Sequence, residues 1–181
     1  VAIVGPFVAA CLMLAVVPLG AHGPVVADLN VGVVWFNAMD VLLWALVWLA
    51  GWAPNSAWAL VGGYRFLAQA LAYELPLMFA LTAPAVAAGS LRMTEVVAGQ
   101  QGLWYAVWMP VAFVVFCAGV AGFSVWGPFA TPAGGDIAGG VLVEPSGLDR
   151  ALLVLGRYAP LVAGVAVGVT LFLGGPSGPW L

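Results

Sequence analysis

The chain predicts an all-α, polytopic membrane protein with about five transmembrane helices in a single domain over residues 1–181. Three observations predict it. Of the 181 residues, 65% are hydrophobic and only 6% are charged, whereas soluble domains carry about 25% charged residues. Mean hydropathy is +1.14. The apolar runs are continuous rather than alternating, which points to helices and away from a β-barrel, the other structure that satisfies its backbone groups in lipid.

Each element follows from a run and its punctuation. The first span is expected over 2–19, with Pro6 near its start and Pro18 near its end. No basic segment precedes it and no small-residue cleavage site follows, so it reads as a span rather than a signal peptide. The sequence begins inside that run and ends at Trp180-Leu181 just after the last, as a segment of something longer would. The polar link AHGPVVADLN, with His22 as a surface residue, leads to a Trp-rich second span over 31–49. Gly and Pro breakers in GWAPNSAWALVGGYR are expected to turn the chain. The third span covers 66–89, where roughly 20 apolar residues suffice to cross a bilayer, and Pro76 and Pro84 can kink it. SLRMTEVVAGQQG is expected as a short surface helix. The fourth span covers 103–125 and contains Pro110. The Gly- and Pro-rich stretch 126–149 is too polar to cross lipid, and the fifth span covers 151–173. Trp52, Trp58, Trp104, Tyr105, Trp108, Trp126 and Tyr158 fall near span ends, where amphipathic rings form interfacial belts. With alternating spans, Arg65 and Arg150 share one side and Arg92 takes the other, so the excess of positive charge places loop 126–149 in the cytoplasm.

The chemistry-bearing residues are the acids inside the spans. Glu74 lies within the third apolar run and Asp40 within the second. An ionised carboxylate at mid-membrane costs a few kcal/mol or more, so such groups face a protein interior or a water path and are functional by default. Arg65, Gln69 and Tyr73, spaced four apart, form one stripe on the third helix. Glu74 flanks that stripe, about 100° round from Tyr73. An arginine at the membrane edge, an amide, a phenol and a carboxylate on adjoining faces can order water and pass protons; a polar contact that merely fixes helix packing is the plainer alternative. Asp40 has no basic residue in its own helix, and must find a partner, stay protonated or face water. Arg157, two turns inside the fifth span, is expected to snorkel to the interface. Asp136, Glu144 and Asp149 give the long loop a mildly acidic character.

Other chemistry is absent from the pattern. Four arginines and no lysine leave no basic patch for nucleic acid. There is no phosphate loop, nucleophile elbow or Cys/His cluster, so neither a metal site nor a cofactor bound by this chain is expected. Cys11 and Cys117 read as small buried hydrophobes.

At ADLNVGVVWF and LAGWAPNSAWALVGGYRFLAQALAYELPL the chain resembles the membrane-embedded H subunit of bacterial respiratory complex I, the NADH–quinone oxidoreductase. The family pattern ADLNIG, AGWASNSKYALLG, LR-x-x-AQ-x-x-SYE is matched by Ala27-Asp28-Leu29-Asn30 with Gly32, by Ala50-Gly51-Trp52-Ala53, by Asn55-Ser56, and by Arg65, Ala68-Gln69 and Tyr73-Glu74. Pro128-Phe129 with Pro132 resembles the family's quinone-facing loop, and Glu144 with Ser146-Gly147 its E-Y-S-G. Tyr158 resembles an E-Y pair in the next helix. The likeness covers the family's second to sixth spans. It implies a bacterial inner-membrane component of a proton-translocating quinone oxidoreductase, between the redox arm and the pumping arm. It would help form the quinone chamber and touch quinone, lipid and the other membrane and peripheral subunits. Arg65 and Glu74 would belong to a polar axis, and Glu144 to the coupling loop.

The loop departs from the family's A-E-T-N-R-A-P-F-D-L-P-E-A-E-S-E. Phe123 replaces an acid, Trp126 an arginine and Ala130 an aspartate, and the glutamate cluster shrinks to Asp136. Arg157 stands where the family has Glu or another residue before Tyr. Removing several charges from a low-dielectric chamber rewrites a proton pathway rather than trimming it. The alternatives are therefore the membrane anchor of a related membrane-bound hydrogenase or ferredoxin-linked complex, and a structural scaffold paralogue.

Overall fold

The computed structural model describes residues 2–18 and 25–177. Among them, seven α-helices run in the order α1 (Gly5–Leu14), α2 (Gly32–Trp52), α3 (Ala57–Ala88), α4 (Met93–Ala98), α5 (Tyr105–Trp108), α6 (Pro110–Phe123) and α7 (Gly147–Phe172). No strand occurs among the described residues. Four stretches are long and apolar enough to cross a membrane: Gly32–Trp52, Ala57–Ala88, Pro110–Phe129 (α6 with the turn after it) and Gly147–Phe172. This is a multi-pass helical membrane protein. Residues 19–24, His22 among them, and Trp180-Leu181 lie outside the described residues.

The helix ends differ from the sequence expectation where glycine and proline act. The first run is helical only over the ten residues of α1, about 15 Å at 1.5 Å per residue. The helix gives way to turn at Ala15, shortly before Pro18. α3 starts at Ala57, nine residues before the expected Phe66, because AWALVGGYR continues the helix instead of turning. Gly62 and Gly63 weaken a helix in water by up to about 1 kcal/mol each. Here both are buried, and packing against other backbones holds the segment helical. At its far end Gly89 adopts the left-handed conformation (φ 68°) and closes the helix. Pro76 and Pro84 sit inside α3 without ending it. Pro110 does divide the fourth run: Met109 leaves helical geometry (φ −129°, ψ 58°) and Pro110 starts α6, since the residue before proline is pushed out of the helical region. α7 begins at Gly147, four residues earlier than expected, with Asp149 in its first turn, where an acid complements the helix dipole.

α2 packs antiparallel on α3, α1 lies against α7 and α2, and α6 fits between α3 and α7. The core is aromatic: Phe36 meets Phe123 edge-on at 6.1 Å between ring centroids, Phe116 meets Phe172 at 5.5 Å, and Tyr73 meets Phe123 at 6.4 Å. Two glycines make room for close contacts, one with a backbone and one with a ring. A Cβ on Gly51 would stand 2.6 Å from the Ala59 carbonyl and 3.0 Å from the Gly63 backbone, and a Cβ on Gly122 would stand 2.9 Å from the Tyr73 ring. Small residues at helix contacts are the usual solution in lipid, where hydrophobicity gives helices no reason to prefer each other over acyl chains.

That same indifference overturns two expectations. Cys11 and Cys117 are exposed on the outside of the bundle rather than buried, because a lipid-facing surface tolerates apolar residues as well as the core does. Tyr105 is 5% exposed, so it is a core residue and not part of an interfacial belt. Trp52, Trp58, Trp108 and Tyr158 are on the surface.

Candidate functional site

Two polar stripes face each other along the α2–α3 seam. On α2, Asn37, Asp40, Trp44 and Trp48 recur at intervals of three and four, the spacing of one helix face. On α3 the facing residues are Arg65, Gln69 and Tyr73, with Glu74 alongside. Antiparallel packing sets Trp48 against Tyr64 (6.2 Å between ring centroids) at one end. Toward the other end, Tyr73 and Glu74 meet Asp40 and Asn37.

Asp40, Tyr73 and Glu74 are brought together. Asp40 is fully buried, and its Oδ1 accepts the Tyr73 hydroxyl proton at 3.2 Å. Glu74 is half-buried, and its Oε1 accepts from Asn37 Nδ2 at 3.0 Å. These crossed hydrogen bonds make the two acids neighbours across the seam. Each helix thus supplies one acid and the donor that orients the other helix's acid. Asp40 Oδ2 and Glu74 Oε2 are buried and have no other partner; the same holds for Asn37 Oδ1, Trp44 Nε1 and Trp48 Nε1. Buried polar groups are ordinarily satisfied, and five such atoms along one seam distinguish it from the apolar rest of the bundle. Like charges are strongly disfavoured here: two ionised carboxylates 4 Å apart repel by about 4 kcal/mol at an effective dielectric of 20.

The other end of the α3 stripe is fastened to the loop after α6. Gln69 Nε2 donates to the carbonyls of Gly122 (2.8 Å) and Phe129 (3.1 Å), and Gln69 Oε1 accepts from Thr131 Oγ1 at 3.4 Å. Arg65 donates to the Thr131 carbonyl at 3.3 Å and pairs with Asp136 at 2.7 Å. The guanidinium holds the Asp136 carboxyl below the usual carboxylate range. The contact is therefore complete at neutral pH and is lost only as acid protonates Asp136 below that range. Both side chains are well exposed, at 35% and 61%, so the pair orients the loop more than it stabilises the fold. The loop itself is a chain of short 3₁₀ turns, Gly127–Phe129, Thr131–Ala133, Gly135–Ile137 and Gly140–Leu142.

Glu144 stands apart. It is exposed, and no hydrogen bond or ion pair joins it to another described residue. Arg157 pairs with no acid: its guanidinium donates to the Val125 carbonyl at 2.5 Å and lies 4.6 Å over the Trp126 ring. The turn after α6 offers it a carbonyl and an aromatic face.

The stripe Arg65, Gln69, Tyr73 was readable from spacing, as were the two acids. Asn37, Trp44 and Trp48 were not singled out, although their 3–4 spacing from Asp40 was a usable signal. Nothing in the sequence announced that the Asp40 and Glu74 carboxyls would meet.

The whole chain, residues 1–181, matches the family model described as NADH dehydrogenase. It is 40% identical over 181 residues to an NADH-quinone oxidoreductase H subunit (the copy numbered 1) of Geobacter metallireducens, covering 95% of this chain and 55% of that relative. It is 39% identical over 183 residues to the H subunit numbered 2 of the same enzyme in Geobacter sulfurreducens, covering 96% and 56%. With the H subunit numbered 1 of Rhodopseudomonas palustris strain HaA2 it shares 38% identity, covering 99% and 57%. The chain spans about half the length of the curated relatives it matches.

Proposed function

Because the chain belongs to the NADH dehydrogenase family, we propose that it is a membrane subunit of a complex I-like NADH–quinone oxidoreductase. It helps form the quinone chamber and couples quinone reduction to proton translocation. In this reading it lies in the bacterial inner membrane among other membrane and peripheral subunits. It meets quinone and lipid and holds no redox cofactor of its own.

The observation that carries the reading is the polar seam. Asp40 with Tyr73 and Glu74 with Asn37 form two crossed hydrogen-bonded pairs inside an apolar bundle. Further along α3, Gln69 and Arg65 tie the same helix face to the loop through Phe129, Thr131 and Asp136. Movement of that loop against a quinone would be transmitted to the acids through Gln69 and Arg65. A packing-only role would not require carboxyl oxygens to be left without partners inside the bundle. Replacing Glu74 with Gln keeps the shape and removes the titratable group. We expect proton-coupled quinone turnover of the assembled complex to fall on the order of ten- to hundredfold; wild-type turnover would leave only a scaffold role.

One observation favours a second reading, the membrane anchor of a related membrane-bound hydrogenase or ferredoxin-linked complex. Between Val125 and Val143 the loop carries one acid, Asp136, and that acid is engaged by Arg65. Identifying the electron-input protein that co-purifies with this chain decides between the two.

A further inference from the structure

We propose that Asp40 and Glu74 act as a single acid–carboxylate pair that holds one proton between Asp40 Oδ2 and Glu74 Oε2. The inference rests on the reading of the seam as a proton route and says where in it the proton is stored. Three independent features of the geometry support it.

The first is the pattern of satisfied and unsatisfied atoms. Tyr73 saturates one oxygen of Asp40 at 3.2 Å and Asn37 one oxygen of Glu74 at 3.0 Å. The remaining oxygen of each is buried and without a partner, and the crossed hydrogen bonds hold the two acids as neighbours across the seam. An oxygen pair of that kind is satisfied by a single proton: with none both are orphans, and with two one O–H has no acceptor. The second is the absence of a cation. Arg65 is engaged by Thr131 and Asp136, Arg92 by Asp28, Asn30 and Glu95, Arg150 by the Leu142 carbonyl and Arg157 by Val125 and Trp126. No described positive charge therefore stands against the pair, and two ionised carboxylates would repel in a low-dielectric bundle. The third is the asymmetry of burial. Asp40 is 0% exposed whereas Glu74 is half-buried. Asp40 is thus the more deeply enclosed of the two acids. Tyr73 and Asn37 are positioning residues, each fixing the acid of the opposite helix so that the inner oxygens converge.

The test is infrared spectroscopy of the assembled complex in membranes at neutral pH, comparing wild type with the double variant Asp40→Asn/Glu74→Gln. The expected difference is protonated-carboxyl C=O intensity equal to one carboxylic acid, scaled against a dissolved standard and shifting in D₂O. Intensity of no acid, or of two, overturns the pair. Should the double variant fail to assemble, Tyr73→Phe removes only the donor to Asp40 Oδ1: the band is expected to move in frequency, and an unmoved band overturns the pair. Turnover keeps this separate from the coupling reading. A one-proton band with turnover indifferent to Glu74→Gln leaves the pair standing and removes the coupling role. Turnover lost in Glu74→Gln with no one-proton band does the reverse.

Discussion

Gln100 is 4% exposed and uses both ends of its amide. Nε2 donates to the carbonyls of Val96 (3.2 Å) and Thr170 (3.0 Å), while Oε1 accepts from the backbone N–H groups of Tyr105 (3.4 Å) and Gly174 (3.0 Å). One side chain therefore closes the end of α4, the start of α5 and the end of α7. Gln100→Leu preserves volume and leaves those backbone groups buried without partners. The expected cost is about 2–4 kcal/mol, read as a lowered unfolding temperature in detergent with the Glu74 site untouched. A shift within error would mean that the end of the bundle repacks freely. Arg157 shows the same logic in reverse. A guanidinium inside a span takes the nearest carbonyl and aromatic face, at Val125 and Trp126, because desolvation without a partner costs more than the loss of a route to water.

At the scale of elements, α2 and α3 act as one unit because glycines bring their backbones together. Gly62 does the same for α3 and the loop: a Cβ there would stand 2.5 Å from the Pro132 carbonyl, 2.6 Å from Val141 N and 2.9 Å from Gly140 Cα. All three are backbone atoms that cannot rotate away. Gly62→Ala should therefore displace the 131–142 turns from α3 at a cost of about 1–3 kcal/mol, and weaken the Arg65–Asp136 contact that depends on their position. Hydrogen–deuterium exchange of 131–142 checks this. Faster exchange confined to that segment is expected, and unchanged exchange would show that the loop is not seated by this helix. The two polar stripes of the seam are likewise a property of paired helices. Neither α2 nor α3 alone satisfies its acid, since each donor comes from the other helix.

Over the whole molecule the arginines separate to two ends. Arg65 and Arg150 both bond the loop after α6, through Thr131, Asp136 and Leu142. Arg92 bonds Asp28, Asn30 and Glu95, at the end where α3 runs out. If the positive-inside rule governs this chain, the loop end faces the cytoplasm. The substitution Gly135→Cys, in a background lacking Cys11 and Cys117, should then give reaction with a membrane-impermeant maleimide only in inverted vesicles. Reaction in right-side-out cells would reverse the topology and, with it, the side from which the Arg65 stripe is reached.

The sequence was sufficient for the fold class, because composition and uninterrupted apolar runs dictate helices wherever water cannot satisfy a backbone. It also marked Arg65, Gln69 and Tyr73 as one stripe and Glu74 and Asp40 as acids needing an explanation, since helical spacing and the cost of burying charge are local matters. It failed where the answer depended on a neighbour. The GG segment at 62–63 reads as a turn until another backbone lies against it, and Cys11 and Cys117 read as core until lipid is counted as an equal solvent. The join between Asp40 and Glu74, 34 positions apart, required the register of α2 against α3. That register is set by close glycine contacts and by the crossed Tyr73 and Asn37 hydrogen bonds, and no local pattern encodes it.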